Sequence, residues 1–151
     1  MKKLLCTVLL SACCLSLPVS AGTSEAVMKE VQRYIDAGYQ AHKEENPRGF
    51  AENFLKATQV KGLVNPERRM VDQAAIVVLT QMGFFDAAVP SIEREAAQGN
   101  LGCQGMMGFV YYCGMGGKPQ NREKGIAMMR KAAQLGEPFS QKALTKLGLR
   151  W

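Results

Sequence analysis

The sequence predicts an all-α protein, and three observations carry that reading. From Ser24 onward apolar residues recur at steps of three and four, the spacing that lines one face of a helix. No run sustains the apolar and polar alternation of a strand. Helix punctuation also comes at short intervals. Asn46-Pro47 and Asn65-Pro66 pair a capping residue with a proline suited to the first helical position, and Gly62, Gly83, Gly99 and Gly136 stand where helices stop.

Taken in order, Val27, Met28, Val31, Tyr34, Ile35 and Tyr39 follow Ser24 and predict a first amphipathic helix of about 20 residues. Phe50, Phe54, Leu55 and Val60 form the stripe of a second helix, which runs up to Gly62. In the third, Met70, Val71, Ala74, Ala75, Val78, Leu79 and Met82 cover most of the circumference, which predicts a place at the centre. Asp86 is read as the cap of a fourth helix ending near Gly99, with Pro90 delaying its start or bending its first turn. Asn100 opens a fifth helix to about Tyr112, and the glycine-bearing stretch from Cys113 to Gln120 is a loop. Asn121 caps a sixth helix ending at Gly136, and Pro138 opens a seventh.

The first 21 residues have the three-part grammar of a secretory signal: Lys2 and Lys3, the apolar run from Leu4 to Leu17, and Pro18-Val19-Ser20-Ala21. The expected home is therefore periplasmic or secreted. Leu10-Ser11-Ala12-Cys13 offers an alternative, a lipoprotein box that would anchor the chain through Cys13. Its apolar stretch would be short, and the new N-terminus greasy rather than a polar tether. Beyond Ala21 no segment reads as transmembrane, since a span needs about 20 continuous apolar residues.

The remaining chain from Gly22 suits one domain. Without Lys2 and Lys3 it holds 17 basic residues against 13 acids, a net charge of +4. Such an excess reads as a solvated surface or as steering towards an acidic partner or an anionic envelope surface, and export argues against nucleic acid. Of the five cysteines only Cys103 and Cys113 lie beyond the signal. Ten residues of unbroken helix set them about 15 Å apart, too far for a bridge that needs Cα atoms within about 7 Å. Only a break at Gly102, Gly105 or Gly108 would allow a disulfide.

An internal repeat is visible. Arg94-Glu95-Ala96-Ala97-Gln98-Gly99 recurs 37 residues later as Lys131-Ala132-Ala133-Gln134-Leu135-Gly136. Between the copies stand Cys103, Met107-Gly108, Tyr111, Gly114, Gly116, Asn121 and Lys124, leading into Ala132, Ala133 and Gly136. This order resembles the Sel1-like repeat, a relative of tetratricopeptide repeats. Each match has a physical use: Gly108 permits close approach of two helices, Tyr111 fills the groove beside it, and Gly114 and Gly116 turn the chain. Gly117, Lys118, Gly125 and Met128 depart from the pattern. The resemblance implies a short right-handed superhelix of antiparallel helix pairs, about seven helices in all. It places a helical cap over residues 22–70 and a repeat region over 71–151, with one full repeat at about 100–136 and partial copies on either side.

The chain offers little chemistry. His42 reads as a solvated helix-end histidine, and one histidine with two cysteines makes no zinc set. Neither a nucleophile elbow nor a Ser-x-x-Lys occurs. Glu93 and Glu95 read as outer-face carboxylates, and Gly114-Met115-Gly116-Gly117-Lys118 lacks the strand and the hydroxyl of a phosphate loop. The expectation is a protein with no cofactor, no metal and no catalytic residue. The resemblance implies a module that binds another protein, as an adaptor or as an inhibitor or immunity protein for an effector. The alternative is an envelope enzyme acting on cell-wall material. In this repeat family the first helices of successive pairs line the inner curve, which nominates Gln73, Thr80, Gln104 and Tyr112 as the contact surface.

Intact mass of the exported protein should correspond to a chain starting at Gly22 without lipid. A mass starting at Cys13 with acyl chains would make the protein a lipoprotein.

Overall fold

A computed structural model describes residues 22–151. The predicted signal, its cut after Ala21 and the lipoprotein alternative at Cys13 lie outside the described residues. Among those residues there are seven helices and no strand: α1 Glu25–Lys43, α2 Pro47–Gln59, α3 Glu67–Gln81, α4 Phe85–Ala97, α5 Leu101–Cys113, α6 Arg122–Gln134 and α7 Pro138–Lys146. None is long and apolar enough to cross a membrane.

Side-chain caps account for most of the starts. Ser24, Asn46, Asn100 and Asn121 each accept a hydrogen bond from the backbone N–H three residues on, satisfying a donor that the helix itself cannot. At α7 the Glu137 carboxylate does this twice, accepting from Phe139 N and Ser140 N. The second Asn-Pro behaves differently from the first. Pro66, joined to Asn65 by a cis peptide, itself holds the cap position of α3, and no side chain caps this helix.

The fourth helix also departs from expectation. It begins at Phe85, so Asp86 lies inside its first turn and does not cap it, and Pro90 sits within the helix. The hydrogen bond that proline cannot donate would have gone to the Asp86 carbonyl. Both residues are exposed, where water can serve that carbonyl.

Three helices share one size and spacing. α2, α4 and α6 are 13 residues each and start at Pro47, Phe85 and Arg122, 38 and then 37 residues apart. Each is followed by a glycine with φ near +87°, at positions 62, 99 and 136. Corresponding core positions fall on Phe54, Ile92 and Met129, all buried. The first of these three helices lies in the 22–70 segment.

Each helix packs on its chain neighbours, and contacts also link α2 with α4 and α5 with α7. The expectation that the third helix lies at the centre needs correction. α3 buries one side, with Val71, Ala75, Ile76, Val78 and Leu79, and leaves Met70 and Val77 exposed. α5 is the enclosed helix, packed against α4, α6 and α7, and Cys113 is its only exposed residue. Cys103, Met107 and Val110 of α5 join Ala75, Leu79, Val89 and Ile92 in the largest core cluster, with Tyr111 at its edge.

α5 runs unbroken through its glycines, so both of its cysteines are free, Cys103 buried and Cys113 exposed. Burial, reinforced by the acids Glu95, Asp72 and Glu137, pushes the Cys103 thiol up to about 11, which disfavours the thiolate. Gly108 is where α5 and α6 meet. A Cβ there would lie 2.8 Å from Met129 Cγ and 2.9 Å from both the Gly125 carbonyl oxygen and the Met129 nitrogen. Ala132 and Ala133 are buried farther along α6, and Lys124 Nζ lies 3.6 Å from the Tyr111 ring centroid.

The same substitution at two glycines of α5 should therefore have opposite signs. Gly102→Ala meets only Asn100 Oδ1 at 3.5 Å and should raise stability by up to about 1 kcal/mol through helix propensity. Gly108→Ala forces backbone apart, and the ~1 to 3 kcal/mol typical of overpacking should outweigh that gain. Thermal melts of the two variants check this, and a stabilised Gly108→Ala would mean that α5 and α6 are not in this close contact.

Candidate functional site

The four residues nominated from the sequence fall on two helices: Gln73 and Thr80 share one side of α3 at helical spacing, and Gln104 and Tyr112 lie on α5. Gln73 and Gln104 converge on the C-terminal end of α4, where Gln73 Nε2 donates to Glu95 Oε2 (2.9 Å) and Gln104 Nε2 donates to the Ala96 carbonyl (3.3 Å). Of the four only Gln73 is exposed. The Thr80 hydroxyl donates back into its own helix, to Ile76 O at 2.6 Å, as β-hydroxyl side chains in helices often do. Tyr112 packs on the cluster of Met129, Ala133, Ala143 and Leu144, beneath the Arg122 guanidinium. Its backbone and Cβ lie so close to Gly125 that no side chain fits there.

Gln73 leads into a group that the sequence did not disclose. Glu95, read as an outer-face carboxylate, is 0% exposed. It accepts from Arg69 Nε (3.2 Å) and Nη2 (3.3 Å) as well as from Gln73, and Asn100 Nδ2 lies 3.5 Å away. Burial alone would push its carboxyl up, but the hydrogen bonds from Gln73 and Arg69 and the guanidinium charge bring it below its ordinary value. One turn along α3, buried Asp72 accepts from Ser91 Oγ (2.9 Å) and Arg94 Nε (2.8 Å). The hydrogen bond to Asp72 is the largest influence on Arg94 and raises its pKa. Two carboxylates on opposite helices thus take guanidinium partners across the α3–α4 seam.

The repeat explains why Glu95 was misread. One repeat away on either side, its position is filled by the buried alanines Ala57 and Ala132. A charge has replaced a methyl in a packing slot, and Arg69, Gln73 and Asn100 surround it to offset the desolvation. The signal was present in the alignment of Glu95 with Ala132, but a single glutamate in a helix that also carries Glu93 and Arg94 is ordinarily a surface residue.

Glu93 does face solvent, where it pairs with Lys118 Nζ at 2.7 Å. The glycine loop is held by the same helix. Asp86 Oδ1 accepts from Gly116 N at 2.7 Å, so the carboxylate expected to cap α4 instead occupies an amide of the loop that could have cradled an anion. Gly116, at φ 59°, presses on Val89, where a Cβ would lie 2.6 Å away, and Gly114 closes α5 at φ 75°. His42 is not solvated as expected. It is half-buried, with its ring centroid 5.3 Å from that of Phe50.

Among the described residues no group of three or more His, Cys, Asp or Glu is placed to hold a metal ion. A groove of about 320 Å³ runs between α2 and α4, lined by Ala51, Leu55, Leu79, Phe84 and Ala87 with Arg48 and Glu52 at its edge. The outer face of α3 offers an apolar strip: Met70, 37% exposed, and Val77, 40% exposed, stand on either side of Gln73 at helical spacing. Comparison of the chain with protein-family profiles, with curated proteins and with solved structures gives no match.

Glu95→Gln should keep the hydrogen-bonding geometry but lose the charge facing Arg69, lowering stability by ~1 to 3 kcal/mol at neutral pH. The folded pKa of Glu95 is depressed, so its contribution is complete above the ordinary carboxylate range and disappears as pH falls through the folded value. The gap between wild type and variant should therefore close on acidification, as followed by urea unfolding at a series of pH values. A gap independent of pH would contradict the assignment of an ionised Glu95.

Proposed function

We propose that the chain is an exported interaction module of the cell envelope, built as a short right-handed superhelix of antiparallel pairs like the Sel1-like repeats, and that it holds another protein. Three 13-residue helices at intervals of 38 and 37 residues support the repeat reading. So do the contacts between two pairs of alternate helices, α2 with α4 and α5 with α7. An adaptor of envelope assembly and an inhibitor or immunity protein for an effector are the two roles that suit such a module.

The observation that carries this reading is the outer face of α3. Met70 and Val77 are two large apolar side chains left partly in water on the side of α3 turned away from α2 and α4. Gln73 between them is fixed by the buried Glu95, so its carbonyl is presented on a rigid backing. A partner that covers this strip gains apolar burial from Met70 and Val77 and a preorganised acceptor from Gln73. Thr80 stands three residues beyond Val77 on the same side of α3 and borders the contact, whereas Tyr112 on α5 is taken up by packing on Met129 and Leu144.

A photo-crosslinker at Val77 in the exported protein should capture one stoichiometric envelope protein, and Val77→Glu should abolish that complex with the melting temperature unchanged. An identical set of captured proteins from Val77→Glu and wild type would remove α3 as the contact face.

A further inference from the structure

The net charge of the chain is not spread over its surface. Residues 22–121 carry ten basic residues against eleven acids, a net of −1, whereas residues 122–151 carry seven against two, a net of +5. One of those two acids, Glu137, is buried and caps α7. Glu123 is thus the only exposed acid facing seven exposed cations. Among the described residues none of the seven forms an ion pair, in contrast to Lys29, Arg48, Arg69, Arg94 and Lys118 in the rest of the chain.

Among the described residues the same end carries the two most exposed large apolar side chains, Leu135 at 64% and Trp151 at 51%. Arg130 Nε donates to the Arg150 carbonyl at 3.0 Å, which brings the tail alongside α6, so Arg130, Lys131, Arg150 and Trp151 stand near one another. On α7, Lys142 and Lys146 lie one turn apart and share its exposed side.

From this arrangement we propose that the α6–α7 end, with its tail, docks on an anionic phospholipid bilayer, with cations at the phosphates and Trp151 at the headgroup boundary. Charge complementarity names the occupant. A partly exposed indole beside lysines and arginines is the combination that settles at a lipid interface, with its ring among the headgroups and its cations in the surface potential. Among the described residues these cations are held by no carboxylate, so they are free to meet phosphates. The surface is separate from the α3 face, so one chain could sit on a membrane and hold a protein at the same time.

Trp151 is the sole tryptophan of the chain, so its fluorescence reports this contact directly. Phosphatidylcholine vesicles containing phosphatidylglycerol, added to the intact protein as isolated from the cell, should shift the emission to the blue and shield it from acrylamide. Pure phosphatidylcholine should not. High salt should reverse the shift, and the combined Lys131→Glu, Lys142→Glu and Lys146→Glu variant should partition at least ~100-fold more weakly, three surface cations being replaced by anions. All three side chains are exposed, and an unchanged melting temperature would show the variant folded; should it not fold, the salt titration on wild type decides alone. Absence of a shift with anionic vesicles, an equal shift with neutral ones, or undiminished binding by the folded variant would overturn the proposal. A shift with soluble polyglutamate but none with vesicles would also overturn it, and would make the partner an acidic protein.

Discussion

The close contact of two glycines, Gly108 on α5 and Gly125 on α6, sets the geometry on which the C-terminal half depends. A Cβ on Gly125 would fall 2.6 Å from the Gly108 carbonyl oxygen and from Tyr112 N, so the two backbones are about as near as helices can come. At that separation Tyr111 reaches Lys124, and Tyr112 reaches the cluster around Met129. The same closeness recurs at Gly105, where Ser140 of α7 sits against α5 and a Cβ would lie within van der Waals radius of its Oγ. Small residues on α5 thus let a single helix serve as floor for α6 and α7 together. This is why the most glycine-rich helix of the chain is also its most enclosed.

The α3–α4 seam solves its packing differently. Where α6 has Ala132 at the seam, α4 has Glu95, and α3 answers with Arg69 and Gln73, while Asp72 answers Ser91 and Arg94. Buried ion pairs of this kind rarely add net stability over apolar packing, because desolvation takes back much of the Coulomb gain. In the observed register of α3 against α4 both carboxylates meet their guanidinium partners. That register also decides which side of α3 faces out, and so which of its many apolar residues remain in solvent. The proposed binding face is in this sense a product of the buried acids behind it.

Much of the architecture was legible because its signals are local. The caps Ser24, Asn46, Asn100 and Asn121 and the prolines at 47 and 138 mark helix starts through hydrogen bonds to neighbours three residues away, and those elements stand where the sequence put them. Asp86 misled for an instructive reason. A carboxylate near a helix start is a sound local cap, but this one is taken by Gly116, 30 residues along the chain. His42 and Glu95 misled in the same way, since their surroundings are made by α2 and α3 and not by their own helices. Of the nominated contact residues, Gln73 alone is exposed; Met70 and Val77, which flank it, look like core in a helix that is apolar nearly all round.

By itself the sequence determined the helical class, the seven segments, the 37-residue period and the free state of Cys103 and Cys113. All of these follow from spacing along the chain, in turns of 3.6 residues and caps three residues apart. The tertiary structure decided that α5 and not α3 is enclosed, that Glu95 is a core residue, and that Met70 and Val77 are surface. Those outcomes depend on which of several apolar faces finds a neighbour, and with more apolar surface on α3 than its neighbours can cover, only the assembled packing selects the side left to water.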